Sequence, residues 1–195
     1  MERFFAFLIF VLILPILIFI ALIIKIKYPG PIFYTQKRIG KNGKPFDIYK
    51  MRTMVQNAST ILNNLLKNNP KLAKSWAETG VIKNDPRIAG KIAAWSRELS
   101  IDELPQLINI IKGDMSFIGP RPLEVSTIAA LDTNLSALRH SIKPGLTGLM
   151  QVRNRASNFK QMIRYDLLYI KKKSVVLNVY ILYLTIFAII NRTGK

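Results

Sequence analysis

From Phe4 to Ile24 the chain carries 21 apolar residues in succession, and from Val175 to Ile190 a second run is broken only by Asn178 and Thr185. As a helix rising about 1.5 Å per residue, the first run would be about 31 Å long, the thickness of a bilayer core. Pro15 stands at its middle, where a missing backbone donor kinks a helix. Arg3 precedes the run and Lys25 and Lys27 follow it, so the cytoplasmic preference of basic residues picks no direction. A helix that enters the membrane, breaks at Pro15 and returns to the same face satisfies both features and leaves both termini cytoplasmic. A single kinked span is the alternative. The run is too long for a signal peptide, and no small-x-small cleavage site follows it. The second run, of sixteen residues, is short for a span and lies between Lys171, Lys172 and Lys173 and the pair Arg192 and Lys195. It reads equally as an interfacial helix, its lysines meeting anionic headgroups, or as a core helix.

Between these runs the pattern changes. Pro31 to Met51 alternates around Lys41-Asn42-Gly43-Lys44, which predicts a β-hairpin. On its second strand Lys50 and Arg52 are two apart and so are expected on one face. Val55 to Gly90 is polar, with one amphipathic piece (Ile61, Leu62, Leu65, Leu66) before the breaker Asn68-Asn69-Pro70. Helical spacing returns over Val125 to Arg139, and over Phe159 to Ile170 through Phe159, Met162, Ile163, Leu167 and Ile170. The elements add up to an α+β, mostly helical chain without internal repeats.

The length of 195 residues suits one domain with appendages. Lys and Arg number 29 against 11 acids, a net charge of +18, so the partners are anionic: nucleic acid, anionic lipid or phosphorylated small molecules. The absence of cysteine excludes disulfides, thiolate nucleophiles and cysteine-ligated zinc. The single histidine, His140, cannot build a metal site alone and receives no role.

In so basic a chain the adjacent acids Asp102 and Glu103 stand out, although chance alone gives about 0.6 such pairs. Ser100 and Glu103 also form an S-x-x-E capping box, a purely structural reading. Pro105 opposes it, because proline prefers the first helical turn and would move the helix start to about Leu104. The carboxylates would then lie just ahead of a helix N-terminus, where an anion can be received. Downstream, Gly119-Pro120-Arg121-Pro122 fixes an extended segment that presents one guanidinium. Lys50, Arg52, Arg97 and Arg155 are further candidate phosphate contacts. Two carboxylates amid cations beside a membrane suit a metal-bridged phosphate ester better than nucleic acid, which would repel them.

The stretch SIDELPQLINIIKGDMSFIGPRP resembles the signature of the bacterial sugar transferases, the monotopic phosphoglycosyl transferases. The likeness continues in YTQKRIG, IYKMRTM, LRHSIKPGLTGLMQV and YDLLYI, and so covers nearly the whole chain. It implies a bacterial inner-membrane protein of the minimal form, with a re-entrant helix over residues 1–28, a catalytic domain on the cytoplasmic face over 29–174 and an interfacial helix and tail over 175–195. It also implies transfer of a sugar phosphate from a UDP-sugar to polyprenyl (undecaprenyl) phosphate, releasing UMP and starting a surface glycan. By motif, Asp102 is the expected nucleophile and binds Mg²⁺ together with Glu103. Arg97, Arg121 and Arg155 are expected to contact phosphate or to position the site. Three stretches differ from the family pattern: Leu14-Pro15 in place of a serine-proline pair, Arg38-Ile39-Gly40 in place of Arg-Pro-Gly, and LMQVRNRAS in place of a WAQVNGR-type run. A transferase that moves only the sugar often holds its metal with Asp-x-Asp, which this chain lacks. A basic membrane-surface adaptor without catalysis is the reading outside enzymology. Sugar identity and oligomeric state are not encoded in these patterns.

Overall fold

The computed structural model describes residues 1–128, 131–153 and 159–191. It opens with α1 (Glu2–Lys27), followed by the hairpin β1 (Phe33–Ile39) and β2 (Pro45–Met51), joined by a tight turn with Asn42 at φ 58°. Then come α2 (Ala58–Asn68), α3 (Pro70–Thr79) and α4 (Gly90–Glu98), a 3-10 turn over Ile101–Gln106, and α5 (Leu107–Lys112). The second half holds β3 (Ser116–Ile118), β4 (Leu123–Glu124), α6 (Val125–Ile128), α7 (Thr133–Arg139), β5 (Gly145–Thr147), α8 (Leu149–Arg153), α9 (Phe159–Lys172) and α10 (Val175–Ile190). One antiparallel sheet runs β2-β1-β4, and β3 pairs with β5 in parallel.

α1 is assigned as one helix from Glu2 to Lys27 with Pro15 inside it. Its buried side chains Ala6, Leu17, Ile20, Ala21 and Ile24, with Phe10 and Ile13 partly buried, form a stripe three to four residues apart that packs along its length. The end near Ile24 meets Met51, Ala93, Ile101 and Leu104, and the end near Ala6 meets Leu107, Ile110 and Met115. α1 therefore lies antiparallel to the 3-10 turn and α5, and both of its ends are tied to the same folded unit. At the N-terminal end Ser116 Oγ donates to Glu2 Oε1 at 2.8 Å, and the Arg3 guanidinium fills the space beside Gly113, a left-handed helix cap at φ 91°. At the other end Arg52 Nη1 donates to the Pro29 carbonyl at 3.0 Å and Nη2 to that of Tyr28.

The outward faces of α1 and α10 are strongly apolar. Leu12 is 78% and Ile26 82% exposed, and Val175 and Val176 are 79% exposed. Among the described residues α1 is the one helix long and apolar enough to cross a membrane by length and composition. α10 buries Ile181 against Ile118, Leu149 and Tyr169 and leaves its other side open, so it combines the core and interfacial readings.

The segment expected as one helix over 125–139 contains two, α6 and α7. Asp132 starts the second by accepting from the N–H groups of Asn134 and Leu135, at 2.9 and 3.2 Å.

Candidate active site

The acid pair sits on the 3-10 turn rather than on a regular helix, which begins three residues later than the proline suggested, at Leu107. Ser100 is left-handed at φ 57° and its side chain makes no cap hydrogen bond, so the serine half of the capping box is not formed, while Glu103 Oε1 is taken by other partners. Asn109 anchors this segment to the sheet: it accepts from the Tyr49 N–H at 3.1 Å and donates to the Asp47 carbonyl at 2.7 Å, replacing a strand partner along β2. Fully buried Leu107 and Ile110 then hold α5 beneath α1. The acids are thereby turned toward β2.

One oxygen of Glu103 receives both Lys50 Nζ at 2.8 Å and Arg121 Nη2 at 3.3 Å. Burial opposes the charge on Glu103, but the adjacent Lys50 and Arg121 cations outweigh it and hold the carboxyl well below the usual range. Asp102 is buried, and that burial, with the neighbouring Glu103 charge, raises its pKa to about 6 against the pull of Lys50, Arg97 and Arg121. Two adjacent carboxyls are thus driven apart, the arrangement that divides roles within a reactive site.

Arg121 reaches the pair from a loop whose backbone is held by a buried arginine. Its carbonyl accepts from Arg139 Nη2. Arg139 and Asp166 are themselves a fully buried ion pair, with Nε and Nη2 2.9 and 2.7 Å from Oδ2. Gly119 allows the loop to lie against the start of β5, since a Cβ there would stand 2.5 Å from the Lys143 carbonyl. His140 belongs to this support: it is buried, with Nε2 3.4 Å from Arg139 Nη1.

Lys50, Glu103 and Arg121 line one narrow cleft with Arg38, Gln106, Pro122 and Leu146. Arg97 stands on α4 with Nη1 3.4 Å from Thr53 Oγ1 and contributes its charge to Asp102. Arg52 lies outside this cleft. One residue beyond β2, it turns to the Tyr28 and Pro29 carbonyls, acceptors exposed where α1 ends and without intrahelical donors. It therefore braces α1 and does not join Lys50 at Glu103. Arg155 lies outside the described residues. Arg38, Arg139 and Asp166 carried no assignment from the sequence, although all three fall inside the stretches quoted above.

The donor set for a hard cation is small. Among the described residues no group of three or more His, Asp or Glu converges, so Asp102 and Glu103 offer the carboxylate oxygens. That is the number Mg²⁺ commonly takes from protein when waters and substrate phosphates complete its shell.

The sequence model of the bacterial sugar transferases matches residues 1–192. This chain belongs to that family. The chain is 35% identical over 182 residues to the exopolysaccharide production protein ExoY of Sinorhizobium fredii, covering 93% of this chain and 80% of that protein. It is 37% identical over 166 residues to the undecaprenyl-phosphate galactose phosphotransferase of Salmonella typhimurium, covering 85% of this chain and 34% of the relative. It is also 37% identical over 188 residues to the UDP-glucose:undecaprenyl-phosphate glucose-1-phosphate transferase of Klebsiella pneumoniae, covering 92% of this chain and 37% of the relative. The chain thus spans little more than a third of the length of the two latter proteins.

Proposed function

We propose that this chain transfers a sugar 1-phosphate from a UDP-sugar to polyprenyl phosphate, undecaprenyl phosphate in particular, with release of UMP, through a covalent intermediate on Asp102. The observation that carries the proposal is the split pair: a buried Asp102 with a raised pKa beside a Glu103 held ionised by Lys50 and Arg121. The relatives support the substrates, since the Salmonella and Klebsiella proteins are named for undecaprenyl-phosphate sugar-phosphate transfer, the latter from UDP-glucose.

Burial raises the Asp102 pKa to about 6, so the carboxylate is still the major form at neutral pH and is more basic than an exposed aspartate. Its carboxylate oxygen attacks the phosphorus that bears the sugar. A P–O bond forms, the P–O bond to UMP breaks, and UMP leaves with that electron pair. A phosphate oxygen of the lipid then attacks the same phosphorus, the bond to Asp102 breaks, and the carboxylate is restored. Arg121 and Lys50 face the negative charge that accumulates at each displacement, and the fixed backbone of Arg121 spares its guanidinium a search for position. Mg²⁺ held by Asp102 and Glu103 would neutralise diphosphate charge.

The second substrate is a lipid, which gives the apolar faces of α1 and α10 a purpose. We place the protein at the cytoplasmic face of the bacterial inner membrane, where the ends of α1, both bound to the catalytic unit, keep the cleft near headgroup depth. The test is the identity of the nucleotide product. Membrane-extracted protein given a panel of UDP-sugars, Mg²⁺ and polyprenyl phosphate is expected to release UMP, whereas UDP would mark a transferase that moves only the sugar.

A further inference from the structure

Arg38 lines the cleft but has no part in the scheme above. Its position follows from the hairpin register: Arg38 opposes Phe46 and Tyr34 opposes Lys50, so Arg38, Ile48 and Lys50 share one face of the sheet. The side chain is held by Gln36 Oε1 at 2.6 Å, Glu124 Oε1 at 3.1 Å and the Pro122 carbonyl at 3.4 Å. Its Nε is buried and has no hydrogen-bond partner among the described residues. A buried charged donor without an acceptor is costly, and here it lies in the wall of a cleft.

The local charge is also unbalanced. Arg38, Lys50 and Arg121 line the cleft with a single carboxylate, Glu103, which is already shared by Lys50 and Arg121. Burial, and the like charge of Arg121, depress the Arg38 pKa, with Glu124 acting in the opposite sense. Glu124 itself is 44% exposed, so water screens much of its attraction. An anion entering beside Arg38 and Arg121 would relieve their repulsion and supply the missing acceptor. A planar guanidinium already fixed by three partners loses little freedom in making that contact.

We propose that Arg38 is a substrate-binding residue that grips, together with Arg121, an oxyanion of the donor's diphosphate. This rests on reading the cleft as a diphosphate-transfer site. It assigns a ligand to a residue whose simplest structural role would be a bridge from β1 to Glu124 on β4.

The two roles separate experimentally. Inorganic pyrophosphate is titrated calorimetrically into the full-length, detergent-solubilised protein and its variants, and the KM for the UDP-sugar is measured alongside. Arg38→Gln is expected to weaken pyrophosphate binding and raise KM by roughly tenfold each, the effect of losing one charge-assisted contact. Glu124→Gln, which breaks the bridge but leaves the guanidinium, is expected to keep both values within about twofold or to tighten binding. Lys37→Gln, on the opposite face and paired with Asp47 at 2.8 Å, is expected to change neither. Should Arg38→Gln fail to fold, Arg38→Lys takes its place and is expected to show a partial loss, because an ammonium lacks the fork. The proposal is overturned if wild type binds no pyrophosphate, if the Arg38 variant binds it as wild type does, or if Glu124→Gln reproduces the Arg38 loss. Release of UDP in place of UMP by wild type would defeat the transfer reading alone, and the pyrophosphate comparison would still decide Arg38.

Discussion

At the scale of single residues, the proposed chemistry places Asp102 in an environment that resists its charge. The group's pKa in the fold, about 6, lies above its unfolded value near 4, so the linkage has a definite sign. Its contribution to stability is fully present below about pH 4 and is lost as pH rises through about 6. Asp102→Asn removes that cost, because the amide has no charge to bury. In metal-free buffer the variant is expected to be more stable than wild type at pH 7.5 by on the order of 2 kcal/mol, with the advantage vanishing near pH 4 while turnover is abolished. Thermal unfolding across this pH range measures it, and an Asp102→Asn protein less stable than wild type at pH 7.5 would contradict the burial account. Arg121 presents the opposite case, since its backbone is locked and its guanidinium is partly exposed. Arg121→Ala is expected to lower turnover roughly a hundredfold while the protein stays folded with a modestly lower melting temperature, since Glu103 keeps Lys50 but loses one cation, and Arg121→Lys to recover only part of the turnover. Full activity in either variant would remove Arg121 from the phosphate site.

At the scale of elements, the placement of α1 decides how the protein meets a membrane. Glu2 and Arg3 at one end and Tyr28 and Pro29 at the other contact the same unit, so the proposed membrane placement puts both ends on one side of the bilayer. A cysteine appended before Met1 is expected to react with an impermeant reagent only when the cytoplasmic face is opened. Labelling from the periplasmic side in intact cells would refute this arrangement. The hairpin, the acid pair, Lys50 and Arg121 were legible in the sequence because each depends on local pattern: alternation, a Lys-Asn-Gly-Lys turn, a proline-flanked arginine. The contacts of Arg52 were not legible, because strand alternation gives the face of a residue but not the distant acceptors, here the Tyr28 and Pro29 carbonyls, that its side chain meets. The capping box failed for a related reason, since Ser-x-x-Glu spacing is silent about two cations arriving from residues 50 and 121. The buried Arg139–Asp166 pair, 27 positions apart, had no local signal at all. Arg38 did leave one, because Gln36 and Arg38 alternate on a strand whose turn fixes their register with Lys50.

At the scale of the whole molecule, a net charge of +18, two outward apolar helices and one cationic cleft suit the proposed work at the boundary between a water-soluble nucleotide and a lipid phosphate. The proposed covalent route divides the reaction into two half-reactions at Asp102, of which the first needs no lipid. The most direct test supplies UDP-sugar and Mg²⁺ without polyprenyl phosphate and follows nucleotide release and intact protein mass together. A burst of about one UMP per active site is expected, then a stall, with a mass gain equal to one sugar phosphate mapping to Asp102 and discharged when the lipid is added. UMP release that begins only with the lipid present, together with comparable turnover by Asp102→Asn, would contradict the covalent account and remove Asp102 as nucleophile.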